Sequence, residues 1–329
     1  MRTARIVGEA GSFYHVVSRV VDRQMVFDCA AKETLRGMLR RVADFCGIRV
    51  ITYALLDNHF HILMQVPVPQ SVTDEELIRR IGVLYGDQIA RNIEISLQTM
   101  VKAGEEKQAA ELREKYLYRM WNMAEFMKTL KQRVSIWQNR NRHRKGTLWE
   151  ERYKSVLVEG KQNALAAVAA YIDLNAVRAG IVADPKDYRY CGYGEAVGGG
   201  KEARDGLGFI MATLGEASDW RRASAEYRKF LYQKGEKTQK RHGIEPEKVQ
   251  EVLAAGGKLG LVEALRCRVR YFSDGVALGS KEYVNGVFAK HRDKFGKARQ
   301  DGARKLRWGE WDGLCSLRDL RVNVISAPG

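Results

Sequence analysis

Long apolar runs are missing from this 329-residue sequence. The longest, Ala164 to Ile172, falls far short of the ~20 residues that a membrane span requires, so a transmembrane reading is excluded. The opening MRTARIVGEAGSFYHVV has basic residues but no apolar segment of signal-peptide length and no small-residue cleavage site, which argues against export. Cysteine is scarce and badly placed for pairing: Cys29, Cys46, Cys191, Cys267 and Cys315 are odd in number, far apart, and include no Cys-x-x-Cys. Neither a disulfide framework nor a thiolate zinc site is supported, and a reducing cytoplasm fits. Internal repeats of roughly 20–50 residues and low-complexity tracts are also absent.

What is present is positive charge. Lys and Arg outnumber Asp and Glu 56 to 40, a formal charge of +16, and from Arg221 onward the count is 24 to 13. A polyanionic partner is the physical implication, through phosphate contacts and counterion release, although solvated lysine faces give the same total. The 45% apolar and 29% charged fractions are those of a folded chain, and the length favours two domains.

Along the chain, Ser12 to Val21 is aromatic and β-branched and predicts a strand. Ala30 to Cys46 carries Leu35, Met38, Leu39, Val42 and Phe45 at helical spacing, closed by Gly47. Arg49 to Leu56 and His59 to Val66 predict two more strands across an Asp57-Asn58 turn, giving a β-α-β-β start. Thr73 to Arg142 reads as charged helices, with residues 71–118 as an insertion. Arg140 to Lys145 is a dense basic run, after which Gly146 to Lys154 interleaves basic and aromatic side chains, a composition suited to phosphates and bases. An Ala-rich helix follows from Gln162 to Gly180. The glycine-dense stretch from Gly192 to Gly208 is the expected linker. Beyond it, helices are expected around Trp220 to Gln233, Pro246 to Ala254 and Ser280 to Phe295. Ser280, as N-cap after Gly279, suits the second helix of a helix-turn-helix, and a small bundle with a basic face suits the same residues.

Two short patterns carry chemistry. His59-Phe60-His61 on a strand sets two imidazoles on one face and sends Phe60 to the other. Such a pair suits a divalent cation, and a pair of hydrogen-bonded sheet histidines is the bland alternative. Tyr171 and Asn175 stand at i and i+4 and share a helix face. A phenol there can attack a phosphodiester while the amide oxygen reaches a metal; ordinary core packing is again the alternative. A zinc-dependent hydrolase built on His59 and His61 lacks an evident third ligand and general base.

Together these patterns resemble the single-tyrosine His-hydrophobic-His (HUH) transposases, especially the REP-associated tyrosine transposases. The resemblance rests on Tyr14-His15-Val16-Val17-Ser18-Arg19, on DNHFHILMQVP with His59 and His61, on Gly146 through Ser155, and on YIDLNAVRAG. The four occur in the family's order over roughly residues 5–195.

The resemblance implies an α+β fold, a ferredoxin-like antiparallel sheet of four or five strands with packed helices. The expected domains are a catalytic one at 1–195 and a basic, mostly helical one at 209–329. It implies Tyr171 as nucleophile, forming a 5′-phosphotyrosine link to single-stranded DNA, and His59, His61 and Asn175 as ligands of Mg²⁺ or Mn²⁺. The expected DNA contacts are Arg19, Arg142, Arg144, Lys145, Arg152 and Lys154. Trp149 and Tyr153 are read either as base-stacking or as core anchors, and His15 as a core histidine. The partner implied is single-stranded or hairpin DNA, bound by a monomer or homodimer. A nucleic-acid-binding regulator that keeps the fold but not transposition is the other reading. The sequence departs from the family at Ala176, where members often have Pro after the asparagine, which leaves Asn175 less fixed.

Overall fold

The first aromatic and β-branched run forms β1, Phe13–Arg19. The chain then enters α1, Cys29–Cys46, whose N-cap Asp28 accepts a bond from the Ala31 N–H, an arrangement worth about 1 kcal/mol. Gly47 ends the helix at φ 63°, a left-handed conformation that glycine adopts without strain. Strands β2, Arg49–Leu55, and β3, His59–Gln65, make the predicted hairpin, closed by a 2.8 Å bond from the Leu56 N–H to the His59 carbonyl. The structure is a computed structural model that describes residues 6–160, 163–182, 185–214, 220, 223, 224, 227, 231, 275–296, 298–306 and 313–318.

The charged stretch after Pro69 forms α2, Asp74–Tyr85, α3, Asp87–Lys102, and α4, Glu106–Leu117. These pack mainly on one another and on α1, away from the sheet. Helix α5, Met123–Asn141, leads to β4, Lys154–Val158, which lies antiparallel to β1. Helices α6, Asn163–Asp173, and α7, Asn175–Arg178, carry the YIDLNAVR sequence, with a break at Leu174. Among the described residues no helix is long and apolar enough to cross a membrane.

The first four strands lie in the order β2-β3-β1-β4, all antiparallel, but the sheet does not stop there. Strands β5, Ala277–Gly279, β6, Arg304–Lys305, and β7, Cys315–Leu317, extend it to seven, with β5 parallel to β4. Four or five strands were expected, and the excess comes from the C-terminal third. That region therefore contributes to the sheet, where its sequence suggested a separate helical unit. Ser280 does cap a helix, α10, Lys281–Lys290, through its hydroxyl and the Tyr283 N–H. The element before the turn is a strand, however, which removes the helix-turn-helix: Val276 and Leu278 accept bonds from the N–H groups of Leu157 in β4 and of Glu159 just after it. The expected helix at Pro246 to Ala254, and most of Trp220 to Gln233, lie outside the described residues.

The glycine-dense stretch also differs from expectation. In place of a linker it forms α8, Gly192–Val197, and α9, Lys201–Thr213, and α9 packs along β2. Glycine acts here as a spacer: a Cβ on Gly206 would lie 2.2 Å from the Ile51 carbonyl oxygen, so only a bare Cα lets the helix approach the strand so closely.

Candidate active site

Alternation along the strands sets up the site. His15, Val17 and Arg19 on β1 face the same way as His59 and His61 on β3, because Val17 pairs with His61 and Arg19 with His59. Phe60 points to the other side, fully buried, with its ring 5.6 Å from that of Trp149. Helix α6 lies over the histidine face and brings the Tyr171 ring to 5.8 Å from both His15 and His61. The His59 and His61 rings are themselves 5.1 Å apart.

These residues open onto a cavity of about 500 Å³ lined by His59, His61, Tyr171, Asn175, Arg19, Arg152 and Lys154, with Glu150 and Glu151 on its wall. The other expected DNA contacts do not line it. Arg142 is paired with Asp28 at 2.7 Å at the end of α5, and Arg144 and Lys145 follow in the next turn. Lys154 meets Glu151 at 3.5 Å with both side chains more than half exposed, a pair too weakly held to keep a phosphate out. Trp149 and Tyr153 are buried, and Trp149 donates its indole N–H to the Lys131 carbonyl, so both anchor the segment in the core.

The donor atoms fit a cation. His59 Nδ1 lies 2.7 Å from Asn58 Oδ1. An amide oxygen can only accept, so Nδ1 carries a proton, and in the neutral ring Nε2 carries the lone pair. His61 Nδ1 lies 2.9 Å from His15 Nε2. Burial first, and then His15, His59, Arg178 and Arg19, hold the His61 pKa well below the ordinary imidazole range, so it is neutral. Neutral imidazoles whose second nitrogen is engaged are the form that ligates metals. Asn175 turns Nδ2 toward the Tyr171 carbonyl at 3.2 Å, which leaves its Oδ1 as the remaining donor atom. Among the described residues no three His, Cys, Asp or Glu side chains converge for a metal ion. A cation here would rest on two imidazoles and an amide oxygen.

Three participants were not picked out from the sequence. His15 was read as a core histidine and is the partner of His61. Arg178, on the face of Tyr171 and Asn175 at i+7, places its guanidinium carbon 3.8 Å from the Tyr171 ring centre and donates to the Tyr171 carbonyl at 2.9 Å. Extending the i, i+4 pattern by one turn would have found it. Asp173 is fully buried and accepts from Thr52 Oγ1, the Tyr193 N–H and Tyr227 Oη at 2.9, 3.0 and 2.6 Å. Its carboxyl is pushed up to about 6 by burial, against the lowering effect of those hydrogen bonds. It fixes α6 to β2 and α8.

Comparison with curated proteins gives no match. Among solved structures, one described as a REP-associated tyrosine transposase bound to a REP hairpin is similar at 12% identity, over 61% of this chain and 87% of that one, with a TM-score of 0.40. The family model described as "Transposase IS200 like" matches residues 10–106, a stretch that includes His15, His59 and His61 and ends before Tyr171. Over those residues the chain is similar to the IS200-like transposases.

Proposed function

We propose that this chain cleaves and rejoins single-stranded DNA through a covalent bond between Tyr171 and a 5′-phosphate, assisted by Mg²⁺ or Mn²⁺ held by His59, His61 and Asn175. The observation that carries the reading is the convergence of Tyr171, the two histidines and the cations Arg19, Arg152 and Lys154 on one cavity. The family match over residues 10–106 supports DNA as the substrate, and a hairpin or palindromic end is the form proposed. The construction of the first four strands also supports it: a β-α-β-β-α-β chain with order β4-β1-β3-β2 is a ferredoxin-like arrangement.

In cleavage, Tyr171 Oη bonds to phosphorus and the bond from phosphorus to the 3′ oxygen breaks. The electron pair leaves with that oxygen, which takes up a proton as the 3′-OH, while the phenolic proton passes to solvent. Rejoining runs the reverse, with a 3′-OH attacking the phosphotyrosine and the phenolate departing. A divalent cation, when bound, stabilises the charge that gathers on the phosphoryl oxygens. Arg19, Arg152 and Lys154 hold the flanking phosphates, and the histidine partners His15 and Asn58 fix the two imidazoles.

The test is incubation with labelled single-stranded hairpin DNA and Mg²⁺ or Mn²⁺. A covalent adduct on a denaturing gel, absent in Tyr171→Phe, supports the proposal. Tight binding with no adduct overturns it and leaves a nucleic-acid-binding regulator.

A further inference from the structure

We infer that Arg178 is a positioning residue for Tyr171, one that fixes the phenol for attack and faces the charge that returns to it on departure. The inference rests on the strand-transfer reading above.

Tyr171 sits near the end of α6, and the helix is interrupted at Leu174 before it resumes as α7. At such a break, carbonyls of the last turn need partners from outside the backbone ladder. The Tyr171 carbonyl accepts two side-chain bonds, from Asn175 Nδ2 at 3.2 Å and Arg178 Nη2 at 2.9 Å. The same guanidinium covers the phenol ring, with its central carbon 3.8 Å from the ring centre. One group therefore holds both the backbone and the ring of Tyr171. The phenol is confined further by His15 and His61, each with its ring 5.8 Å away.

Two consequences follow. A nucleophile must hold its line of attack, and a misplacement of about 1 Å costs on the order of 100-fold in rate. Tyr171 is also a leaving group when strands are rejoined, and a guanidinium fixed against the ring lies beside the negative charge the phenol then acquires. Arg178 is not among the residues that line the cavity, so its contacts are with Tyr171 itself.

The test compares Arg178→Gln and Arg178→Lys with the wild-type chain, at saturating hairpin DNA and Mn²⁺, by single-turnover adduct formation and by rejoining of a preformed adduct. Arg178→Gln is expected to slow both steps, on the order of 30- to 100-fold, rejoining more than cleavage, with DNA affinity unchanged and the chain still folded at the assay temperature. Lysine, which keeps the charge, is expected to restore rejoining more than cleavage. A rate loss matched by lost affinity or by unfolding at the assay temperature would make Arg178 merely structural and overturn the inference. A second readout needs no chemistry: fluorine NMR of the chain with 3-fluorotyrosine at position 171. One sharp line that broadens or splits in Arg178→Gln supports the positioning role, even if the wild-type chain forms no adduct and the transferase reading fails. An unchanged line overturns it, even if the adduct forms.

Discussion

Nε2 of His15 lies 2.9 Å from Nδ1 of His61, on adjacent strands and within a buried face. The contact fixes the orientation of the His61 ring and occupies one of its nitrogens, leaving the other for the proposed ligand role. His15→Phe keeps the ring volume and removes the nitrogen. The adduct-forming rate is expected to fall roughly 10- to 100-fold, the range for losing the partner of a ligating imidazole, while hairpin DNA still binds. A wild-type rate would return His15 to the core.

The cavity cations are distinguishable from the basic run at the end of α5 by salt dependence. For single strands the slope of log affinity on log salt is about −0.7 per phosphate neutralised, so changing Arg19, Arg152 and Lys154 together to Gln should reduce it by about 2. Changing Arg142, already paired with Asp28, should alter it little. Fluorescence anisotropy across a salt series reads both; equal slopes for the two variants would remove the cavity from the DNA path.

Asp173 predicts a pH dependence of stability. Its folded pKa is about 6 against an ordinary 3.8, so between those values the folded chain keeps a proton that the unfolded chain has lost. Stability from this group then falls as pH rises through that window and levels off above it, by about 3 kcal/mol in all. Asp173→Asn cannot titrate, and its amide can still meet Thr52, Tyr193 and Tyr227. Urea midpoints from pH 3.5 to 7, a range chosen to span roughly both pKa values, should show wild type losing ground to the variant only inside the window. A constant gap would refute the assignment.

Two glycines of α9 make an internal control. Gly206→Ala forces a methyl group onto the Ile51 carbonyl and should cost about 1–3 kcal/mol. Gly208→Ala meets nothing within 4 Å and should gain about 0.5–1 kcal/mol as an ordinary helix substitution. Were the stretch a linker, neither would move the denaturation midpoint.

What could be read from the sequence was local. The Asp57-Asn58 turn fixes the register of β2 and β3, and the strand period of two puts His59 and His61 on one face; both follow from neighbouring residues alone. Tyr171 and Asn175 follow in the same way from one helical turn. The partner of His61 does not, because His15 is 46 residues away and meets it only through strand pairing. Arg178 was within reach of helical periodicity, and its effect depends on a helix break that composition does not announce. The glycines between Gly192 and Gly208 misled because the same residue loosens a free segment and permits close contact in a packed one. The β5 pairing is invisible at short range, since Leu157 and Ala277 are distant in the chain.

That pairing has a consequence for how the molecule is made. Strand β4 flanks β1 next to the histidine face, and its outer edge is satisfied only by a segment synthesised more than a hundred residues later. Without β5 the outer edge of β4 would carry unpaired amides beside apolar Val156 and Val158. A product shortened before β5 would carry His59, His61 and Tyr171 and still be prone to join its edge to another copy. Strand β5 thus shields the edge of the sheet nearest the histidine-bearing strands from association with a second copy.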